Sequence, residues 1–457
     1  MDGYRAHMLL ALTLGVIVIG LGVLLSPPFR ELRATIGLPT ELPGARYNAS
    51  TGAAEIINPN KELAEFFLAR VAHFYHSTFA ILLYGMVAAY ALLRRDLIGM
   101  DLLNFTFLGT ISVVVGAQVY SYVSRTFFWH GLFIAGLAMI FSSGLLIAIR
   151  MKPKSLLDYS LYIALILLLI GGIIGAYVGS SYINPEVSSE FVKAKIISRF
   201  NPDLAEENEV WRAMTGHLHT MLALATTSTF LLGVMYLGVR ESKLSRISMY
   251  MVILGELVMA ISAYSVWFFG KIAHLIITPA ALILIFSTLI LSFMTERPNK
   301  STFSSKGAMF WGLRLGNIWT WAFIAIPGAI VAISLRKPVF FNPDFRSGVW
   351  DWAELAYNIG HWHQILVLWG ITLLLIYTSQ IRGHERIASI SSWLSLIGML
   401  SAVATINLYM LANPPGAYSP NPYSNLWLSV LVEPALILMS LGVALSYILF
   451  AMDFIKH

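Results

Sequence analysis

Six of the eleven histidines form three close pairs that recur at a fixed interval along the chain. The pairs are His73–His76, His217–His219 and His361–His363, and their first members stand 144 positions apart. Each pair lies at the start of a long apolar stretch. Neutral imidazole is a strong ligand for haem iron and transition metals, and an imidazole inside a membrane is costly unless it has a partner. The pattern therefore predicts a haem or metal site built from a repeated unit.

The spacing within each pair predicts how its imidazoles face on an α-helix. Residues two positions apart point about 200° apart, so each of the second and third pairs should present its histidines to opposite sides of a helix. His73 and His76 are three positions apart and face broadly one way. One helix could therefore serve a cofactor on each flank. The alternative is that these histidines only cap helices or form hydrogen bonds at the membrane interface.

Composition and charge predict a polytopic membrane protein. Of the 457 residues, 57% are hydrophobic and 12% are charged, whereas soluble proteins carry about 25% charged residues. The net charge of +6 then reflects basic cytoplasmic loops, so no nucleic-acid partner is expected. The chain has no cysteine, which excludes disulfides, thiolate-held iron–sulfur clusters and covalent c-type haem.

Apolar stretches of about 20 residues predict twelve transmembrane helices. They are expected at roughly 8–26, 65–93, 101–123, 128–150, 158–180, 210–238, 246–268, 272–294, 308–334, 355–381, 388–411 and 426–452. The N-terminus and the loops after even-numbered spans hold nearly twice as many basic as acidic residues, and short basic loops stay in the cytoplasm. We therefore expect a multi-pass protein of a prokaryotic cell membrane with both termini in the cytoplasm. The histidine pairs then lie near the outer ends of spans 2, 6 and 10.

Further residues recur in register with the histidine pairs and extend the repeat. They are tyrosines in the third span of each group, histidines at the fourth span in two groups, and glutamates shortly before each pair: Tyr120, Tyr264 and Tyr409; His130 and His274; Glu65, Glu209 and Glu354. Three four-helix units are therefore expected over approximately 8–150, 158–294 and 308–452. They predict an all-α integral membrane protein, with one membrane domain over 1–457 and three four-helix arcs about a pseudo-threefold axis.

Other polar residues in the spans are candidates for supporting roles. Glu256 in span 7, Glu433 in span 12 and Tyr264 are candidates for a proton route, because buried carboxylates are expensive and often mark one. Simple pairing with a neighbouring helix is the alternative for the two glutamates. Arg70 and Arg212, near the outer surface, are candidate partners for haem propionates. Three histidines at the cytoplasmic edge are expected to be solvated: His7, His384 and His457.

Twelve spans in three four-helix arcs, with histidines on spans 2, 6 and 10, resemble the catalytic subunit of haem–copper oxidases and their nitric oxide reductase relatives. The local match is Gly360-His361-Trp362-His363, which resembles the His-x-His motif on span 10 of that family. The resemblance implies that the first histidine of this motif holds the high-spin haem and the second holds the low-spin haem. It also implies that His73 or His76 is the other low-spin ligand.

The chain departs from that family at the second metal of the active site. The family places one histidine on span 6 and a His-His pair on span 7 for copper or non-haem iron, and span 7 here has no histidine. Span 6 carries Gly216-His217-Leu218-His219, without the His-Pro-Glu-Val-Tyr motif of many oxidases. A complete binuclear centre is therefore not expected, and electron transfer is favoured over the reduction of oxygen or nitric oxide.

A pseudo-threefold arrangement would turn the first histidine of one pair toward the second histidine of a neighbouring pair. A histidine of span 2 with His363 would then hold one haem b, and His361 with His219 would hold a second. A third haem, at His217, requires His76 to turn toward it. The expected function is a haem-binding respiratory membrane subunit that transfers electrons through bis-histidine haem b groups.

The expected partners follow from this function. They are other subunits of a membrane respiratory complex and either a quinol or a periplasmic-side redox protein that docks over the long outer loops. Two alternatives remain open on the sequence alone. One is a divergent terminal oxidase or nitric oxide reductase, and the other is a haem or metal transporter built on repeated units.

Overall fold

The fold is a bundle of long helices with one small hairpin. The computed structural model describes residues 3–24, 30–35, 45–48, 53–56, 61–124, 126–181, 208–298, 303–328, 348–381, 383–412 and 426–456. In chain order its elements are α1 (Gly3–Leu24), α2 (Arg30–Thr35), β1 (Ala45–Asn48), β2 (Ala53–Ile56), α3 (Lys61–Leu93), α4 (Met100–Tyr122), α5 (Phe127–Arg150), α6 (Leu156–Ser181), α7 (Glu209–Leu237), α8 (Lys243–Phe269), α9 (Lys271–Phe293), α10 (Ser305–Trp319), α11 (Gly348–Thr378), α12 (Glu385–Ala412) and α13 (Leu426–Lys456). Spans 2, 6, 7 and 10 of the sequence correspond to α3, α7, α8 and α11.

Eleven helices in the described part of the chain are long and apolar enough to cross a membrane. The protein is therefore a multi-pass membrane protein, and eleven of the predicted spans are confirmed. In the ninth, α10 ends at Trp319 and the chain continues as a π-helix over Thr320–Ala325, so the described chain stays helical there with a change of hydrogen-bond pattern that sequence periodicity does not reveal. The predicted end of this span lies outside the described residues, and the span stays a prediction.

The predicted loop between spans 1 and 2 contains regular structure that the sequence did not suggest. The short helix α2 is followed by β1 and β2, which form a two-stranded sheet. The prediction of an all-α membrane protein is confirmed, and this small sheet is an addition in the loop between two spans. The strands are only four residues long, which is too short for the alternation of a strand to stand out from the surrounding sequence.

The chain divides into two compact units. The first is Met1–Arg46 with Glu55–Met151 and Tyr447–His457, and the second is Tyr47–Ala54 with Lys152–Ser446. Within the first unit, α1 packs on α3 and α4, α3 packs on α4, and α4 packs on α5. Its main boundary, after Met151, coincides with the end of the first predicted repeat.

The second unit contains two four-helix groups that pack in the same order as the first. There α6 packs on α7 and α8, α7 on α8, and α8 on α9. In the third group α10 packs on α11 and α12, and α11 packs on α12; α12 meets α13 where Gly398 lies against Met439. One packing order in three groups is what the predicted repeat requires. The arrangement of the three groups about a common axis stays a prediction.

Small residues bring α12 and α13 into close contact. A Cβ added at Gly398 would lie 2.7 Å from the Cα of Met439. Two turns before Gly398 on α12, the Ser391 hydroxyl donates to the carbonyl of Gly442 across 2.8 Å and also contacts the Ser446 hydroxyl. Glycine and serine at such an interface let two helix backbones approach closely enough for these bonds.

We expect Gly398→Ala to destabilise the protein, because its methyl group would push against the backbone of α13 and overpacking costs about 1–3 kcal/mol. Gly316→Ala is the matched control, since a Cβ at Gly316 meets no atom within 4 Å. Thermal unfolding in detergent, followed by tryptophan fluorescence, compares the two variants. Equal melting temperatures would show that the α12–α13 contact is not as tight as described.

Candidate functional site

The second histidine pair lies two turns inside α7, whose first turn is fixed by its own cap. The Asn208 side chain accepts a hydrogen bond from the backbone N–H of Trp211 across 2.9 Å, which satisfies one of the N–H groups that a helix start leaves without a partner. Glu209 follows in the first turn, where a carboxylate is favoured by the helix dipole. The start of the helix, and with it the position of the histidines, is therefore well determined.

His217 is held against α6. Its Nδ1 lies 2.8 Å from the carbonyl oxygen of Gly171, and since a carbonyl can only accept, Nδ1 carries the proton. The ring rests on Gly175, where an added Cβ would come within 2.5 Å of the imidazole Cε1. The imidazole lone pair is therefore on Nε2, and the ring is clamped between two glycines one helical turn apart.

His219 lies on a different side of α7, as its spacing from His217 predicts. Its Nδ1 donates to the carbonyl of Thr215 across 2.8 Å, within the same helix. The Nε2 lone pair is thereby directed outward from the helix. A histidine that ligates a metal usually makes this kind of bond through its other nitrogen, because the bond fixes the tautomer and the ring orientation.

His361 on α11 lies within electrostatic range of His219. The helices that carry them, α11 and α7, pack on each other, and both imidazoles are partly buried. Two imidazoles from two packed helices are the donor set of a bis-histidine haem, in which the porphyrin supplies the remaining four ligands of the iron. The structure thus brings together two of the predicted haem ligands within one unit.

Gln364 adds an observation that the sequence did not suggest. It lies three positions after His361, which places both on one face of α11. The side chain is 0% exposed, yet neither its amide nitrogen nor its amide oxygen has a hydrogen-bond partner among the described residues. Such a group is costly without a partner, so this face of α11 is suited to a ligand or ordered water that offers polar atoms.

The other predicted iron ligands lie on α3 and α11. His363 is exposed on α11. His76 on α3 contacts Phe133 edge-on, with 5.6 Å between ring centroids, and His130 packs on the same phenyl ring at 5.8 Å. The side chains of His73 and Arg70 lie outside the described part of the structure. The proposed pairing of span 2 with His363 involves both units and stays a prediction.

Arg212 takes part in a cluster at the start of α7 and the ends of α6 and α8. Its Nε donates to the carbonyl of Trp267 across 3.0 Å. The indole N–H of Trp267 donates to Glu209 across 2.9 Å, and the Tyr177 hydroxyl donates to the same carboxylate oxygen across 3.2 Å. Tyr177 and Trp267 also stack, with centroids 4.7 Å apart. The cluster ties the three helix ends together, so Arg212 has a structural role whether or not it also meets a propionate.

The predicted proton-route residues fall into two places. Tyr264 donates to the carbonyl of Leu167 across 2.6 Å, and Glu256, two turns earlier on α8, accepts a hydrogen bond from Ser160 across 2.9 Å. Both therefore face α6. Glu433, by contrast, is exposed on α13.

His7 is a correction to the sequence analysis. It was expected to be solvated, but it is 4% exposed and its Nδ1 lies 2.6 Å from the Tyr84 hydroxyl. Phe107 packs edge-on against the same imidazole. The charge pattern places the start of α1 at the cytoplasmic edge but cannot show that α3 and α4 cover this face of the helix.

Comparisons of the chain with models of protein families, with curated proteins and with solved structures found no match. The resemblance to haem–copper oxidases therefore rests on the sequence features and stays an expectation. Among the described residues, no group of three or more His, Cys, Asp or Glu side chains is arranged to hold a metal ion. The placement of His219 and His361 on two packed helices is the structural feature that bears on function.

The sequence contains the two glycines of α6 against which His217 packs. Gly171 and Gly175 are four positions apart, and small residues at this spacing permit close approach of helices. The spacing of the two glycines did not identify which side chain would pack against them. Ser160 and Gln364 carried no signal, because their importance depends on burial and on residues far away in the chain.

We expect Gly175→Ala to displace the His217 imidazole and to lower stability by about 1–3 kcal/mol, the usual cost of overpacking. Gly179→Ala is the control, one turn further along α6, where an added Cβ meets nothing within 4 Å. The control should gain up to about 1 kcal/mol from the better helix propensity of alanine. Thermal unfolding of both variants tests the contact between the His217 imidazole and Gly175. A Gly175→Ala protein as stable as the control would refute this contact.

Proposed function

We propose that this protein is a haem-binding membrane subunit that transfers electrons, with a bis-histidine haem b held between α7 and α11 by His219 and His361. The observation that carries the proposal is that the two imidazoles lie on two helices that pack on each other, α7 and α11, and that both are partly buried. The bond from His219 Nδ1 to the Thr215 carbonyl supports it further, because it leaves the lone pair of Nε2 directed outward for a metal.

The residues around His219 and His361 are suited to hold a haem. A haem with two imidazole ligands supplies a one-electron carrier that has no open coordination position. The Thr215 carbonyl fixes the tautomer of His219, and the buried amide of Gln364 offers a donor and an acceptor on the face of His361. His217 is bound to α6 through its Nδ1, so its first role is to hold α7 against α6.

We further propose a second haem, a threefold arrangement of the helix groups, a membrane orientation and redox partners, all as expected from the sequence. A second haem would use His363 with His73 or His76, and the three four-helix groups would surround a pseudo-threefold axis as in haem–copper oxidases. The protein would lie in a prokaryotic cell membrane with both termini in the cytoplasm. It would pass electrons between a quinol or a periplasmic-side redox protein and other subunits of a respiratory complex. The absence of a histidine from span 7 favours this role over that of a terminal reductase.

A reduced-minus-oxidised spectrum of the purified protein tests the function. We expect low-spin haem b and no spectral shift with carbon monoxide, because two histidines would hold each haem and leave no ligand position for carbon monoxide. A carbon monoxide adduct in the unmodified protein would instead support a divergent oxygen or nitric oxide reductase. Protein without stoichiometric haem would contradict the proposal and favour a haem or metal transporter.

Single substitutions test the ligand assignment. We expect His219→Ala and His361→Ala to affect the same haem, which is lost or becomes reactive toward carbon monoxide because one axial ligand is gone. His363→Ala should affect a different haem, and His384→Ala is the control at the start of α12. Haem content per protein, measured as the pyridine complex, and the carbon monoxide spectrum give the readout. Full haem content without carbon monoxide binding in either of the first two variants would refute the pairing.

A further inference from the structure

A second site lies within the helices α6, α7 and α8, away from the histidine pair of α7 and α11. Glu256, on α8, is 0% exposed. Its Oε1 accepts a hydrogen bond of 2.9 Å from the Ser160 hydroxyl on α6. Its Oε2 is buried and has no hydrogen-bond partner among the described residues.

No charge compensates this carboxyl group in the described part of the chain. Three helices pack on α8, namely α6, α7 and α9. Among the described residues, Ser160 is the hydrogen-bond partner of Oε1, and Oε2 has none. Next to Glu256 along α8, Gly255 lies against Leu284 of α9. One turn after Glu256, Ala260 packs with the apolar Leu224 of α7.

An unpaired carboxylate in such surroundings is far more costly than a neutral carboxylic acid. The hydroxyl of Ser160 donates to Oε1, so Oε1 is the carbonyl oxygen of the acid and Oε2 is the oxygen that carries the proton. We propose that Glu256 and Ser160 form a proton-binding site inside the membrane, in which Glu256 is a neutral acid at neutral pH and Ser160 fixes its orientation.

The site is separated from the histidine pair of α7. Ser160 lies four residues after the first residue of α6, a rise of about 6 Å along the helix. In the other direction, Leu167, Leu224 and Ala260 form a buried apolar cluster beyond the site. Along α6 the site therefore lies nearer the start of the helix than Gly171, which holds His217, and the apolar cluster lies between the two. This proposal does not rest on haem binding.

Infrared spectroscopy of the membrane-reconstituted protein tests the site directly. A neutral carboxylic acid gives a C=O band that is distinct from the bands of carboxylates and shifts in D₂O. We expect Glu256→Gln to remove the band of one acid per protein at neutral pH, because the amide replaces the acid at nearly the same size. Glu241→Gln is the control, since the Glu241 carboxylate is exposed beside Arg246, and it should leave the band unchanged.

A second variant separates the proposal from a purely structural role. Ser160→Ala should keep the acid but move its C=O band to higher frequency, because the carbonyl oxygen loses its hydrogen bond. Glu256→Gln should also melt within a few degrees of the unmodified protein, since a neutral group replaces a neutral group. Identical carboxylic-acid bands in the unmodified protein and Glu256→Gln, or no shift in Ser160→Ala, would overturn the proposal. So would a large loss of stability in Glu256→Gln, which would show that an ionised partner had been removed.

Discussion

Polar groups inside a bilayer must find partners within the protein, because the hydrocarbon offers none. In this protein two carbonyl oxygens of α6 supply such partners to neighbouring helices in addition to their own helix bonds. Gly171 accepts from His217 of α7 and Leu167 accepts from Tyr264 of α8. A carbonyl oxygen has two lone pairs, so α6 binds both neighbours without giving up its own hydrogen bonds. The positions of the histidines of α7 follow from this arrangement.

Close approach between helices makes these bonds available. Gly175 has no Cβ, and this leaves the space that the His217 ring occupies. Gly216, the residue before that histidine, lies against the backbone carbonyl of Ala263 on α8. Small residues on both sides of α7 therefore bring it near α6 and α8, and the polar side chains then reach across short distances. Packing and hydrogen bonding depend on each other here, so neither alone explains how the histidine pair is placed.

Sequence reasoning succeeded where the determining property is local. The length and apolarity of a stretch are enough to predict a span, and the spacing of His217 and His219 predicted that they use different sides of α7. It failed where the determining property lies far along the chain. The Tyr84 partner of His7 is 77 positions away and the Ser160 partner of Glu256 is 96 positions away, and no pattern near either residue indicates them. The placing of Gln364 likewise depends on burial that only packing decides.

The π-helical segment Thr320–Ala325 determines how this part of the chain meets its neighbours. Just before it, the Trp319 indole donates to the carbonyl of Leu400 on α12, and within it Trp321 packs edge-on against Phe286 of α9. A π-turn contains one residue more than an α-turn, so the residues that follow it are rotated about the helix axis relative to an uninterrupted α-helix. The segment thereby sets the directions in which Trp319 and Trp321 reach two different neighbouring helices, α12 and α9.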